Sequence, residues 1–275
     1  TITFGAQTSP RTYSSGGTFA ISPVATTPSS SSIVYSSTTT GVCTVAGTTV
    51  TIVTAGTCTI AANAAADTNY SAATQVTQSV TINKATQTIT FGAQTSPRTY
   101  SAGGTFAISP VATTPSSSSI VYSSTTTGVC TVAGTTVTIV TAGTCTIAAN
   151  AAADTNYNIA AQVTQSVTIN KATQSISVTT AAPASAAYGA SFPVAATATS
   201  GLTVAITVSG GCSISTGTVT IINMGTACTV YYDQSGNTNY SAASQASSTT
   251  TVIESALPLN GSYKGSSTKE INNVL

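Results

Sequence analysis

"CTVAGTTVTIVTAGTC" occupies residues 43–58, returns letter for letter at 130–145, and returns in a looser form at 212–228. Its residues alternate. Cys43 and Val45 fall on one side of an extended chain, Val50 and Ile52 follow after the "AGTT" turn, and Cys58 and Ile60 repeat the pattern. Period-two alternation of β-branched residues, broken by Gly-containing turns, predicts short half-buried β-strands. The stretch therefore reads as strand–turn–strand–strand, bracketed by cysteines.

Working outward, the repetition extends to whole blocks. Residues 1–87 and 88–174 differ at four positions only: Ser15/Ala102, Ser71/Asn158, Ala72/Ile159 and Thr74/Ala161. A third block keeps the plan but not the letters, with "GTVTII" at 217–222, "ACTVYY" at 227–232 and "NTNYSAA" at 237–243. A period near 87 residues exceeds the roughly 20–50 residues of solenoid repeats. It suits one complete sandwich of about 100 residues. The expected domains are 1–86, 87–173 and 174–254, with 255–275 as a tail, a linker or the start of a further module.

The first block reads as seven strands: "TITFGA" (1–6), "GTFAISPVAT" (17–26), "SIVYSS" (32–37), "VCTVAG" (42–47), "TVTIVT" (49–54), "TCTIAA" (57–62) and "QVTQSVTI" (75–82). Turn signals recur every 8–12 residues and no helical period competes. A two-sheet antiparallel sandwich buries such strands economically. The junction "TINKATQTITF" (81–91) holds no Gly/Ser-rich or Pro-rich spacer, so the expected arrangement is end to end with little flexibility. At about 3.3 Å per strand residue, three such domains would span on the order of 100 Å.

Composition excludes several functions. Charged residues make up 4% of the chain, the net charge is +1, and there is no His and no Trp. A nucleic-acid partner would require clustered Lys and Arg, so none is expected. No run of about 18 apolar residues exists to insert into a membrane. Hydrolysis by a Ser or Thr nucleophile needs an adjacent base, and each of the first two blocks has a single Lys, Lys84 or Lys171, at its junction. Each block has one Asp (Asp67, Asp154, Asp233), and the only Glu in them is Glu254 at the end of the third, too few for paired-carboxylate glycosidase chemistry or for calcium. No enzyme activity and no cofactor are expected. The "NYS" at 69 and 239 and "NGS" at 260 match the glycosylation pattern, at a frequency expected by chance in so Asn-, Ser- and Thr-rich a chain. "LPLNG" (257–261) lacks the features of a sortase signal. The chain begins "TITF" without Met, which is expected of a mature or excised piece of a longer precursor.

The six cysteines fall into three pairs, Cys43/Cys58, Cys130/Cys145 and Cys212/Cys228, separated by 15, 15 and 16 residues. Each occupies an inward strand position. Zinc wants four ligands, commonly with His or closely spaced Cys pairs, and a redox site wants CxxC; neither pattern is present. Disulfides are the leading reading, with free buried thiols and a metal site as competitors. A bridge across 15 residues would stabilise each domain by about 3 kcal/mol and would place the chain in an oxidising, extracellular compartment.

Two loops invite comment. "DTNY" at 67–70 and 154–157, with "GNTNY" at 236–240, reads as a strand-to-strand corner with Asx turns; an exposed recognition loop is the alternative. Arg11 and Arg98, after Pro in "TSPRTYS", read as solvated loop residues, with pairing to an Asp of a neighbouring repeat as the alternative.

The Ser-Thr run before "VCTV", the "AGTCTI" strand, the "DTNYSAA" corner and the "KATQTITF" junction together resemble the tandem bacterial immunoglobulin-like (Big/MBG-type) repeats of large surface and secreted proteins. The resemblance covers about 254 residues in three copies; the third departs at "SISVTTAAPAS" and "GGCSIS". It implies an all-β chain of three tandem immunoglobulin-like antiparallel β-sandwich domains with a structural or adhesive role outside the cell. The expected partners are further copies of the chain, head to tail or laterally, with "TITF" or the tail completing a neighbour's sheet. Surface glycans or proteins, bound weakly at repeated sites, are the alternative. A third reading is an accessory region of a larger enzyme.

Overall fold

The Cys-bracketed stretch folds around a two-residue turn. The structure is a computed structural model and describes residues 1–254. In the first copy the strands are β1 (Arg11–Thr12), β2 (Thr18–Ala20), β3 (Ile33–Ser37), β4 (Cys43–Ala46), β5 (Thr49–Ile52), β6 (Gly56–Ala64) and β7 (Val76–Asn83). β4 and β5 pair through Ala46 and Thr49. Gly47, at φ 57, takes the first turn position, where a side chain would be strained. The strands form two sheets, ordered β1-β7-β6-β3 and β2-β5-β4. Ile52, Val50 and Phe19 from one sheet meet Ile60, Val80 and Ile82 from the other in a single buried core. Each fully buried aliphatic side chain contributes about 1.5–3 kcal/mol by area burial.

The second copy repeats this in β8 (Arg98–Thr99), β9 (Thr105–Ala107), β10 (Ile120–Ser124), β11 (Cys130–Ala133), β12 (Thr136–Ile139), β13 (Gly143–Ala151) and β14 (Val163–Asn170). Its sheets are β10-β13-β14-β8 and β11-β12-β9, around a core of its own. The third copy has β15 (Ile176–Thr180), β16 (Ser185–Ala187), β17 (Ser191–Pro193), β18 (Ala195–Ala198), β19 (Ala205–Gly210), β20 (Cys212–Ser215), β21 (Thr218–Ile221), β22 (Cys228–Asp233) and β23 (Ala246–Ile253). Its two main sheets are β16-β23-β22-β19 and β17-β21-β20, with β15 and β18 as a further pair. No helix occurs among the described residues. The fold is all-β, and the three groups of sheets are immunoglobulin-like sandwiches in tandem. The chain divides into two compact units, one spanning Thr1–Lys171 and one from Ala172 onward. The first and second copies share the first unit.

Two features depart from the sequence reading. "TITFGA" does not form a strand; Thr3 makes one isolated antiparallel bridge with Thr26. Pro23, which has no N–H to donate, lies where a ladder would continue, and a Cβ on Gly5 would meet Pro23 Cγ at 2.7 Å. Ile2 and Phe4 nevertheless pack into their own copy's core. Second, the sandwich is not wholly antiparallel. The chain crosses to the other sheet, and Arg11–Thr12 pairs in parallel with Ile82–Asn83. Gln7 holds the crossing: its Nε2 donates to the carbonyls of Gly5 (3.1 Å) and Pro23 (3.0 Å), and Ser22 N–H donates to its Oε1 at 2.9 Å. Gln94 does the same in the second copy. The tail from residue 255 and the "LPLNG" stretch lie outside the described residues.

Candidate functional site: staples and the repeat junction

Each cysteine pair joins the two sheets of its sandwich. Cys43 on edge strand β4 is bonded to Cys58 on β6, with Cα atoms 5.5 Å apart. Cys130 and Cys145 match this at 5.5 Å, and Cys212 and Cys228 at 5.4 Å. Cys43, Cys58, Cys130, Cys145 and Cys228 are fully buried and Cys212 nearly so. Alternation places them there: Cys43 follows the inward face of Val45, and Cys58 that of Ile60.

The junction of the first two copies is built from "NKATQ" at 83–87 and the "DTNY" corner of the second copy. Ala85 N–H donates to the Asn156 carbonyl at 2.8 Å, and Asn158 N–H donates back to the Ala85 carbonyl at 2.9 Å. This short parallel bridge continues the backbone pairing across the joint. Gln87, 6% exposed, donates through Nε2 to the carbonyls of Ala152 (2.9 Å) and Asn158 (2.7 Å). Its Oε1 accepts from the Thr114 hydroxyl at 2.7 Å. Lys84 Nζ donates to the Asp154 carbonyl, and Ala55 N–H to Asn156 Oδ1 at 2.9 Å. Tyr13 meets Tyr157 edge-on, with ring centroids 5.6 Å apart. Burying a carboxamide without partners would cost about 1–3 kcal/mol, so the three bonds of Gln87 tie its position closely.

The corner itself is held by an Asx turn. Asp67 Oδ1 accepts from the N–H groups of Asn69 and Tyr70, both at 2.8 Å, and Oδ2 from Ser30 N–H and hydroxyl, both at 2.8 Å. These bonds, led by that from Asn69, hold its carboxyl at about 2, below the ordinary 3.8. At Asp154, desolvation pushes the carboxyl up, but bonds from Asn156, Tyr157 and Ser117 outweigh it and leave the value lowered. Both favour the ionised form. In the third copy Asn237, not Asp233, fills this position, accepting from Asn239 and Tyr240 N–H. Asp233 instead accepts from Gln245 Nε2 at the end of β22. The three Asp residues are therefore not equivalent.

Arg11 and Arg98 are not solvated loop residues. Each guanidinium lies 4.2 Å from the centroid of a ring, Arg11 over Phe19 and Arg98 over Phe106. Each Nε is buried without a hydrogen-bond partner. Parallel pairing with the last strand, unforeseen from the sequence, carries them onto the sandwich. Beside them lie clefts of about 290 Å³ and about 410 Å³. Gln7, Gln87 and Gln174 were likewise not singled out. The one signal available was a glutamine at matching positions, Gln7 with Gln94 and Gln87 with Gln174, polar yet adjacent to the apolar alternation.

No group of three or more His, Cys, Asp or Glu that could hold a metal occurs among the described residues. No helix among them is long and apolar enough to cross a membrane.

No protein-family model matches the chain, and no curated protein sequence matches it. Solved structures similar to it are tandem immunoglobulin-like or cadherin-like repeats. One is the crystal structure of Drosophila N-cadherin EC1-4, at 10% identity and TM-score 0.33, covering 90% of this chain and 73% of that one. Another is Sidekick-1 immunoglobulin domains 1-5, at 13% identity and TM-score 0.37, covering 90% of this chain and 58% of that one. A third is the I-band fragment I67-I69 from titin, at 11% identity and TM-score 0.32, covering 93% and 99%.

Proposed function

We propose that this chain is a non-enzymatic extracellular structural protein, a rod-like spacer or fibre subunit made of three bacterial-type immunoglobulin-like domains at 1–86, 87–173 and 174–254. The observation that supports this reading most is the junction at residues 83–87. A flexible tether would leave its backbone and its glutamine to water, whereas here Ala85 pairs with the next copy's corner and Gln87 is buried in it. The staples support an oxidising compartment. The near-uncharged Ser/Thr surface, at net charge +1, supports association between copies. Negative-stain electron microscopy under non-reducing conditions, with intact mass alongside, tests this. Extended particles or filaments and a mass six hydrogens below the reduced value are expected; compact particles or free thiols would contradict it.

A second reading, repeated weak binding modules of an adhesin, is favoured by the paired Arg–Phe clefts of the first two copies. Two identical weak sites on one chain would act multivalently. Binding of acidic glycans from an array, lost on replacing both arginines, would support it.

A further inference from the structure

The corner that receives the junction in the second copy is present in the first copy with almost the same residues. Gln87 is held by the Thr114 hydroxyl and the carbonyls of Ala152 and Asn158. The residues 87 positions earlier are Thr27, Ala65 and Ser71. All three line one cavity of about 60 Å³, which Thr1 and Tyr70 also border. Two of its three polar groups are main-chain carbonyls, which are indifferent to the Ser71/Asn158 difference. The Asx turn that presents them is formed in the first copy as in the second, through Asp67 and Asp154.

The same recognition recurs within the second unit. Ala172 N–H donates to the Asn239 carbonyl at 2.8 Å, and Ser241 N–H to the Ala172 carbonyl at 2.9 Å. Gln174 Nε2 donates to the Ser241 carbonyl at 2.7 Å. Here position 241 is Ser, as at 71, so the bond does not need the Asn of position 158. A backbone pair to an Ala and a carboxamide two residues later that donates to a corner carbonyl, buried at Gln87 and half-buried at Gln174, thus form a repeated unit of recognition. Tyr70 in the first copy is 48% exposed, whereas Tyr157 packs against Tyr13. Three of the four differences between the first two copies, at 71, 72 and 74, fall in this corner.

We propose that the Asp67–Thr74 corner of the first copy is a docking socket for the Asn-Lys-Ala-Thr-Gln junction of a further copy of the repeat, with the cavity at Thr27, Ala65 and Ser71 taking its glutamine carboxamide. The alanine of that segment bonds the main chain of Asn69 and Ser71, and its lysine reaches the Asp67 carbonyl. The same amide-reading corner then stands at the leading end of every copy. This rests on the observed junction and is independent of whether the assembly serves as a spacer.

The test is hydrogen–deuterium exchange on the full chain with Ile-Asn-Lys-Ala-Thr-Gln added ahead of Thr1. Peptides covering 67–74 and 154–161 differ in mass through the substitutions at 71, 72 and 74, so the two corners are read separately. Exchange at the Ser71 amide is expected to slow by about tenfold or more on extension, approaching that of Asn158. Replacing the added glutamine by alanine is expected to reverse most of this. Unchanged exchange at 67–74 while 154–161 stays protected would overturn the socket, as would equal protection by a scrambled extension. Absence of protection at 154–161 would overturn the junction itself and the socket with it.

Discussion

Ala55 N–H donates to Asn156 Oδ1 at 2.9 Å across 101 residues of sequence. The bond ties the β5–β6 turn of the first copy to the corner of the second, on a different part of the joint from Gln87. Two separated anchors resist bending in a way that one cannot, and each can be removed alone.

Replacing Gln87 by Ala leaves the Ala152 and Asn158 carbonyls without that donor in a buried place. The expected loss is about 1–3 kcal/mol from the second copy, read as an earlier urea midpoint. Faster exchange of the Asn158 amide should accompany it. An unchanged midpoint would mean that water replaces the carboxamide at no cost.

The interior was largely legible from alternation. Cys43, Val50, Ile52, Cys58 and Ile60, placed by the period-two alternation of the Cys-bracketed stretch, are all buried, and Val45 is half-buried. Alternation works there because each strand has one face on the core and one in water. It fails at Arg11–Thr12, where two residues carry no period and the partner, Ile82–Asn83, lies at the far end of the block. It fails for Gln7 and Gln87 because a buried amide is stabilised by distant carbonyls that local pattern cannot reveal. The Asx corner of the third copy was legible in "GNTNY" at 236–240, where Asn237 accepts from the N–H groups of Asn239 and Tyr240. Asn accepts the same two N–H bonds as Asp, so the corner is marked by an Asx residue before Thr-Asn-Tyr and not by charge.

The double substitution Cys43→Ala with Cys58→Ala removes the inter-sheet bond of the first copy alone. The expected destabilisation is about 3 kcal/mol from loop-closure entropy. Chemical denaturation of the variant checks it, and addition of reductant to the unaltered chain should shift all three copies. Insensitivity to reductant would contradict the stapled account.

Arg11→Ala together with Arg98→Ala should lower stability by about 0.5–2 kcal/mol per copy, through loss of the stacking on Phe19 and Phe106. Arg→Lys should recover only part, since an ammonium lacks the planar face that stacks. Thermal unfolding of the three proteins gives the order.

Acid should loosen the corners. The folded carboxyl of Asp67, at about 2, lies below its ordinary 3.8, so the unfolded chain binds the proton first. Its contribution is fully present above the ordinary value and is lost as pH falls from there through about 2. Asp154 shifts in the same direction. Asp67→Asn with Asp154→Asn should keep the turn, as Asn237 does, and flatten the melting midpoint across that window.

Thr216 holds φ at 45°, the one non-Gly residue with positive φ among the described residues. It precedes Gly217 in the two-residue turn between β20 and β21, where the first two copies place Gly first. A β-branched residue is strained there by about 1–2 kcal/mol. Thr216→Asn should stabilise the third copy by about 1 kcal/mol, since Asn-Gly suits a turn with two positive φ angles. Unfolding followed at Tyr232, buried in that core, reports it.

The central claim is that the junction of the first two copies is stiff. Small-angle X-ray scattering of the full chain, compared with a variant carrying Gly-Ser-Gly-Ser between Lys84 and Ala85, tests it most directly. The account predicts a clear gain in flexibility on insertion, because the bonds of Ala85 and Gln87 that hold the first two copies together are then lost. Equally flexible profiles for the two proteins would contradict it.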